Sequence, residues 1–213
     1  EQVKGKKMQN INERLSGVCP ILPTPFCEDD TIDCGSLERE VNFLLDSGVS
    51  GIALFGNASE AFALTAAEKQ QIAELVVRVN NGRVPLVFGA GGTGIEPAID
   101  SAQWAYKNGA DVLMMMPPYM IKPDAQRIYD YYAAVAKAVP LPIMIQDAPG
   151  ACGVNIPIDT IVRLVNDYDN IRFVKAEAPP TFQKAKKIIE ATGGKVTVFG
   201  GLNATFFYEE LCS

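Results

Sequence analysis

The sequence predicts an α/β fold of parallel strands joined by helical crossovers, on three observations. Seven short apolar runs with strand character recur along the chain, stretches with helical spacing fill the gaps, and strands return about every 24–34 residues, the length of one β-α repeat. The runs are Val18–Phe26, Gly51–Gly56, Val84–Gly89, Asp111–Met116, Pro142–Asp147, Ile171–Ala178 and Lys195–Gly200. Most are continuous rather than alternating, the pattern of strands covered on both faces.

Between the runs, residues such as Leu37/Val41/Leu44/Leu45, Ile72/Leu75/Val76/Val79, Ile99/Ala102/Trp104/Ala105, Ile128/Tyr132/Val135/Ala136 and Ile161/Leu164/Val165 each form one apolar helix stripe. Thr65-Ala-Ala-Glu68 has the form of a capping box, in which hydroxyl and carboxylate reciprocally bond the first free N–H groups of a helix. Asn81-Gly82, Asn108-Gly109 and Gly193-Gly194 mark helix ends. Glu96-Pro97 predicts a delayed helix start after the third run. These repeats fit an open doubly wound sheet or a (β/α)8 barrel. Seven units in steady succession, with polar residues at the carboxyl ends of several strands, favour the TIM barrel, whose active site draws on all its βα loops. Seven strands do not close a barrel of eight.

The 213 residues, 48% apolar, suffice for one sizeable domain, and no linker or charge block divides them. Residues 1–16 read as a polar N-terminal tail and 17–213 as the barrel domain, with Met8 as the natural start and Glu1–Lys7 as a cloning remnant. There is no histidine, which removes Ser-His-Asp and Cys-His triads, HExxH zinc sites and any imidazole base. Acid–base work falls to Lys, Asp, Glu, Tyr or Cys. A formal charge of −6 is the wrong sign for sequence-independent nucleic-acid binding. Five scattered cysteines without a CxxC support neither a disulfide framework nor a zinc ribbon and suit a reducing cytoplasm. No segment reaches the ~18 apolar residues of a membrane span.

Among motifs, Gly89-Ala-Gly91-Gly92-Thr93-Gly94 satisfies GxGxxG, with Asp111 at the distance of a ribose acid. It follows the third run rather than the first, so a tight loop lining a pocket is the favoured reading over a dinucleotide site. Ile171-Arg-Phe-Val-Lys175-Ala-Glu177 is more informative. A lysine inside a strand covered on both faces is buried, and burial favours the free amine that a Schiff-base nucleophile needs. Glu177, two residues on, shares its face as a partner or an acid/base. A structural Lys–Glu pair is the competing reading. Asn57-Ala58-Ser59-Glu60 follows the second run, where successive N–H groups suit a carboxylate. Gln146 and Asp147 end the fifth run, and Tyr119 follows the fourth with a polar end for a pocket.

From about Gly17 onward these residues resemble the dihydrodipicolinate synthase/N-acetylneuraminate lyase superfamily of Schiff-base aldolases. The matches, in order, are Pro23-Thr24-Pro25-Phe26, Gly56–Glu60, Gly82-Arg83-Val84-Pro85, Pro118-Tyr119, Leu141-Pro142-Ile143 leading to Ala148-Pro149, and Lys175. The resemblance implies a (β/α)8 barrel, a lysine imine with a 2-oxo acid, no metal or organic cofactor, and a homodimer or homotetramer. Where the synthase has a threonine and two tyrosines as its proton relay, this chain has Asn57, Met120 and Gln146, and Ala151 stands at the substrate-binding arginine. The pattern Asn-x-Ser-Glu, Ile-Met-x-Gln-Asp-Ala-Pro and Lys-x-Glu is similar to 2-keto-3-deoxy-L-arabinonate dehydratase. That branch implies Lys175 as nucleophile and Glu177 as acid/base, with Gln146 assisting. It implies that Asn57, Ser59 and Gln146 bind substrate polar groups and that the Ala58 and Ser59 N–H groups bind the carboxylate. The expected activity is dehydration of a 2-keto-3-deoxy sugar acid. Alternatives are pyruvate-releasing aldol cleavage or synthase-type condensation, and a non-catalytic barrel that binds a 2-oxo acid. Family members run to about 300 residues, within the range of the fold. The chain ends where an eighth strand would begin, which predicts a fragment or the ordered part of a longer protein, with open edges at the first and seventh strands.

Overall fold

A computed structural model describes residues 11–213. The expectations for Glu1–Lys7 and Met8 lie outside them. The elements in chain order are α1 (Ile11–Arg14), α2 (Cys34–Asp46), β1 (Ile52–Leu54), α3 (Ala66–Asn80), β2 (Leu86–Gly89), α4 (Ile95–Lys107), β3 (Val112–Met115), α5 (Ala125–Ala138), β4 (Ile143–Asp147), α6 (Pro149–Cys152), α7 (Ile158–Asp167), β5 (Ile171–Ala176), α8 (Thr181–Thr192), β6 (Thr197–Phe199) and α9 (Phe207–Cys212). The six strands follow one another in chain order in a single sheet. The pairings β1–β2, β4–β5 and β5–β6 are parallel. This is the predicted α/β class.

The seven predicted strands become six. The first run, Val18–Phe26, reaches β1 only through a parallel bridge from Ile21 to Ala53, with bonds from Leu22 N to Ala53 O and from Ala53 N to Pro20 O. Pro20, whose backbone nitrogen lies on the edge facing β1, has no hydrogen to donate, and Leu22 O is taken by the Ser59 hydroxyl at 2.6 Å, so pairing is confined to one register position. Helix α4 also departs from expectation. It starts at Ile95, ahead of Pro97. Proline in the first turn removes a donor that has no partner within the helix, so it does not delay the start.

The chain forms two compact units, one taking residues up to Gly89 with Trp104–Leu113, the other Ala90–Gln103 with Met114–Ser213. In the first, Ile52, Leu54, Val87 and Phe88 are fully buried, and Ile72, Leu75 and Val76 of the apolar stripe of α3 are buried as well. Phe55, Phe88 and Trp104 stack in tilted and edge-on contacts. The Thr65 capping box forms as predicted, with Glu68 N donating to Thr65 Oγ1 at 3.2 Å and Thr65 N to Glu68 Oε2 at 2.7 Å. Asn81 ends α3 in the left-handed conformation.

In the second unit every residue of β4 is buried. Strand β5 buries Ile171, Phe173, Val174 and Ala176 while leaving Arg172 and Lys175 partly accessible. Helices α5 and α7 contribute Ile128, Tyr132 and Val135, and Ile161 and Leu164, to its core, as their spacing predicts. Gly193 and Gly194 end α8 with positive φ, as expected of a glycine pair at that place.

Candidate active site

Parallel register places Gln146 of β4 directly beside Lys175 of β5. Side chains at adjacent register positions of paired strands leave the same face, so the amide and the amine share one side of the sheet. Lys175 keeps 14% side-chain exposure, and its Nζ lies 3.3 Å from Glu177 Oε1. Gln146, itself buried, donates from Nε2 to Glu177 Oε2 at 2.8 Å. Glu177 is 8% exposed, and its backbone N–H extends the ladder by donating to Asp147 O at 2.9 Å. The sequence-predicted trio Lys175, Glu177 and Gln146 therefore meets in one place, with each carboxylate oxygen engaged by a different side chain.

A third wall was not foreseen in the sequence. After β6 the chain turns through Leu202–Ala204, where three successive non-glycine residues hold positive φ (49°, 52° and 59°). Such a conformation costs roughly 1–2 kcal/mol per residue for L-amino acids. The turn brings Leu202 N to 3.4 Å from Glu177 Oε1. Gly201 permits that approach, since a Cβ there would lie 2.6 Å from Glu177 Oε1. The Gly200-Gly201 pair is the only sequence signal that pointed to this wall.

Asp147, the next residue on β4, faces the other way. Its side chain is fully buried and pairs with Lys184 Nζ of α8 at 2.6 Å, while Oδ1 accepts from Ile156 N at 3.3 Å. Of the two polar residues ending the fifth predicted run, only Gln146 belongs to the Lys175 side. Tyr119 lies in the loop after β3 and is 42% exposed.

In the other unit, Asn57–Ser59 forms a single 3-10 turn at the end of β1, with Asn57 and Ala58 exposed and Ser59 buried. Ser59 is committed to the fold: its hydroxyl donates to Leu22 O at 2.6 Å, its N–H to Gly56 O at 3.2 Å, and its carbonyl accepts from Thr24 Oγ1 at 2.7 Å. Thr24, one of the residues carrying the resemblance, thus acts by holding this turn.

In the Gly-rich loop, packing accounts for Gly89 and Gly92. A Cβ on Gly89 would stand 2.6 Å from Phe55 C, and one on Gly92 would stand 2.9 Å from Ala98 N. Gly92 N donates to the buried Tyr131 hydroxyl at 3.0 Å, and that hydroxyl in turn bonds Gly92 O at 3.2 Å. Asp111 Oδ2 accepts from Leu86 N at 3.0 Å, serving a strand start rather than a ribose. Among the described residues no cluster of three or more acidic or cysteine side chains is arranged to hold a metal, and no helix is long and apolar enough to cross a membrane.

The chain is 36% identical over 187 residues to the 4-hydroxy-tetrahydrodipicolinate synthase of Methanocaldococcus jannaschii, which covers 88% of this chain and 63% of that protein. It therefore spans under two thirds of that relative's length. Among solved structures, the dihydrodipicolinate synthase from Acinetobacter baumannii complexed with pyruvate is 33% identical with a TM-score of 0.84, covering 88% of this chain and 64% of that one. YagE, a dihydrodipicolinic acid synthase family protein of E. coli K12 in complex with pyruvate, is 26% identical with a TM-score of 0.83, covering 92% of this chain and 66% of that one. Relatives named as synthases stand here where a dehydratase was the closer resemblance. Residues 14–210 match the model of the Dihydrodipicolinate synthetase family, and the chain belongs to that family.

Proposed function

We propose that this chain carries the imine-forming site of a lyase acting on a 2-oxo acid, with Lys175 as nucleophile and Glu177 as acid/base. The observation that carries the reading is the contact of Lys175 Nζ with Glu177 Oε1 at 3.3 Å, in a site where Gln146 holds the other carboxylate oxygen. An ammonium must lose a proton before it can attack, and Glu177 is the adjacent acceptor. The free amine adds to the C2 carbonyl and water leaves, giving an imine. Removal of a C3 proton then yields an enamine, with Glu177 placed to take that proton. No histidine is needed at any step.

From the enamine two routes diverge. Carbon–carbon chemistry, either condensation with an aldehyde or its reverse, is supported by the synthase names of the relatives and by pyruvate in two structural neighbours. That is the leading reading, with pyruvate as the 2-oxo acid. Dehydration of a 2-keto-3-deoxy sugar acid is the second reading. It is favoured by a specific feature: Gln146, buried and bonded to Glu177, stands where the resemblance places a relay tyrosine. In that route the C4 hydroxyl departs with acid assistance from the protonated Glu177.

Asn57, the Ala58 N–H and Tyr119 are proposed to bind the substrate, while Ser59, expected to bind it through its hydroxyl and N–H, has both groups taken within the fold and is proposed instead to hold the turn that carries Asn57 and Ala58. Residues 17–213 form the catalytic segment in this account. A cytoplasmic homodimer or homotetramer that needs no cofactor belongs to the same proposal. Borohydride reduction with pyruvate, followed by peptide mass analysis, tests the imine. Product analysis after feeding 2-keto-3-deoxy-L-arabinonate separates the routes: pyruvate release supports carbon–carbon cleavage, and a semialdehyde supports dehydration.

A further inference from the structure

Lys184 sits at an expensive place for a lysine. It lies in the first turn of α8, where the helix dipole opposes a cation, and its side chain is only 15% exposed. Its ammonium has three donors and meets three acceptors: Asp147 Oδ2 at 2.6 Å, Asn155 Oδ1 at 2.8 Å and Ile156 O at 2.9 Å. A buried ion pair is weak evidence for stability, because desolvation offsets most of the attraction. What such a pair supplies is a single fixed geometry, and here that geometry bears on the Lys175 site. Asp147 follows Gln146 on β4, and its carbonyl accepts the N–H of Glu177. Gln146 and Glu177, whose side chains bond one another at 2.8 Å, therefore both hang from the residue that Lys184 grips.

We propose that Lys184 is a positioning residue for the Gln146–Glu177 pair. Through Asp147 it fixes the offset between the carboxyl ends of β4 and β5 from the face opposite Lys175. The proposal rests on the reading of Glu177 as acid/base, and its test separates the two.

The test compares Lys184→Met and Lys184→Arg with the unchanged chain. Solvent exchange of the Gln146 side-chain amide, followed by NMR and assigned by its loss in Gln146→Met, reports the clamp without any turnover. Deuterium uptake at C3 of pyruvate reports proton removal, and borohydride trapping reports imine formation. Lys184→Met should raise Gln146 amide exchange and lower C3 exchange by ~10- to 100-fold, the scale of a reacting group misplaced by about 1 Å, while trapping at Lys175 persists. Lys184→Arg, which keeps the charge, should recover part of both. Wild-type amide protection or wild-type C3 exchange in Lys184→Met overturns the proposal. So does a parallel fall in amide protection, trapping and C3 exchange, which is the mark of general loosening. If Lys184→Met does not fold, Asn155→Ala removes one of the three acceptors and leaves the ion pair. A smaller rise in Gln146 amide exchange then supports the clamp, and no rise refutes it. Absence of any pyruvate adduct on the unchanged chain would sink the functional reading, while the amide comparison would still decide the clamp.

Discussion

Gln146→Met keeps side-chain length and shape while deleting the amide that holds Glu177. The lost bond runs from a buried amide to a carboxylate at 2.8 Å, and hydrogen bonds to charged groups contribute roughly 1.5–3 kcal/mol. Part of this returns, since an amide that is only 4% exposed is costly to bury and methionine is not. The net loss is about 1–2 kcal/mol, which for a chain of this size lowers Tm by roughly 2–8 °C. Glu177 retains Lys175 at 3.3 Å and Leu202 N at 3.4 Å, both on Oε1, so the carboxylate stays in the site but loses the restraint on Oε2. Deuterium uptake at pyruvate C3 should fall by ~10- to 100-fold, while imine trapping at Lys175 persists. Circular-dichroism melting and proton NMR make the two measurements. A variant that melts and exchanges like the unchanged chain would refute the claim that Gln146 orients Glu177.

Three further outcomes follow from the structure. Gly89→Ala should prevent folding of the first unit or cut expression sharply, because the new methyl group would collide with the Phe55 backbone, which cannot swing aside; soluble protein with an unchanged circular-dichroism spectrum would contradict this. Thr65→Ala removes one side of the capping box and should cost about 1 kcal/mol in urea unfolding. The Thr65 hydroxyl and N–H hold the Glu68 carboxyl below its ordinary value of 4.5, and the Ser36 hydroxyl and N–H do the same for Asp33 below 3.8. A lowered folded-state value gives stability that is present above the ordinary pKa and lost as pH falls through the folded one. The urea midpoint of the unchanged chain should therefore exceed that of Glu68→Gln at about pH 7, and the gap should narrow as the pH falls below 4.5.

The sequence was most legible where one local rule decided the outcome. Continuous apolar runs became β1 to β6, the Thr65–Glu68 spacing became a capping box, and a lysine and a glutamate two residues apart on a strand became a contacting pair. Two local rules competed in Val18–Phe26, where apolar character promised a strand and Pro20 withheld the donor that would face β1. GxGxxG was ambiguous because close packing and phosphate binding both require glycine, and only the contacts of Gly89 and Gly92 separate them. The features left unread were long-range ones. Nothing in an amphipathic helix marks Lys184 as the lysine that turns inward to Asp147. Near Leu202 the Gly200-Gly201 pair marks a turn, but nothing in it announces that the turn is left-handed or seated against a carboxylate 25 residues earlier.

The central claim is that Lys175 forms an imine with a 2-oxo acid. Borohydride reduction in the presence of pyruvate, with peptide mapping of the 213-residue chain, tests it most directly. One Nε-(1-carboxyethyl) adduct is expected on the peptide containing Lys175, abolished by Lys175→Ala. An adduct confined to another lysine, or none with pyruvate or any other 2-oxo acid tried, would contradict it.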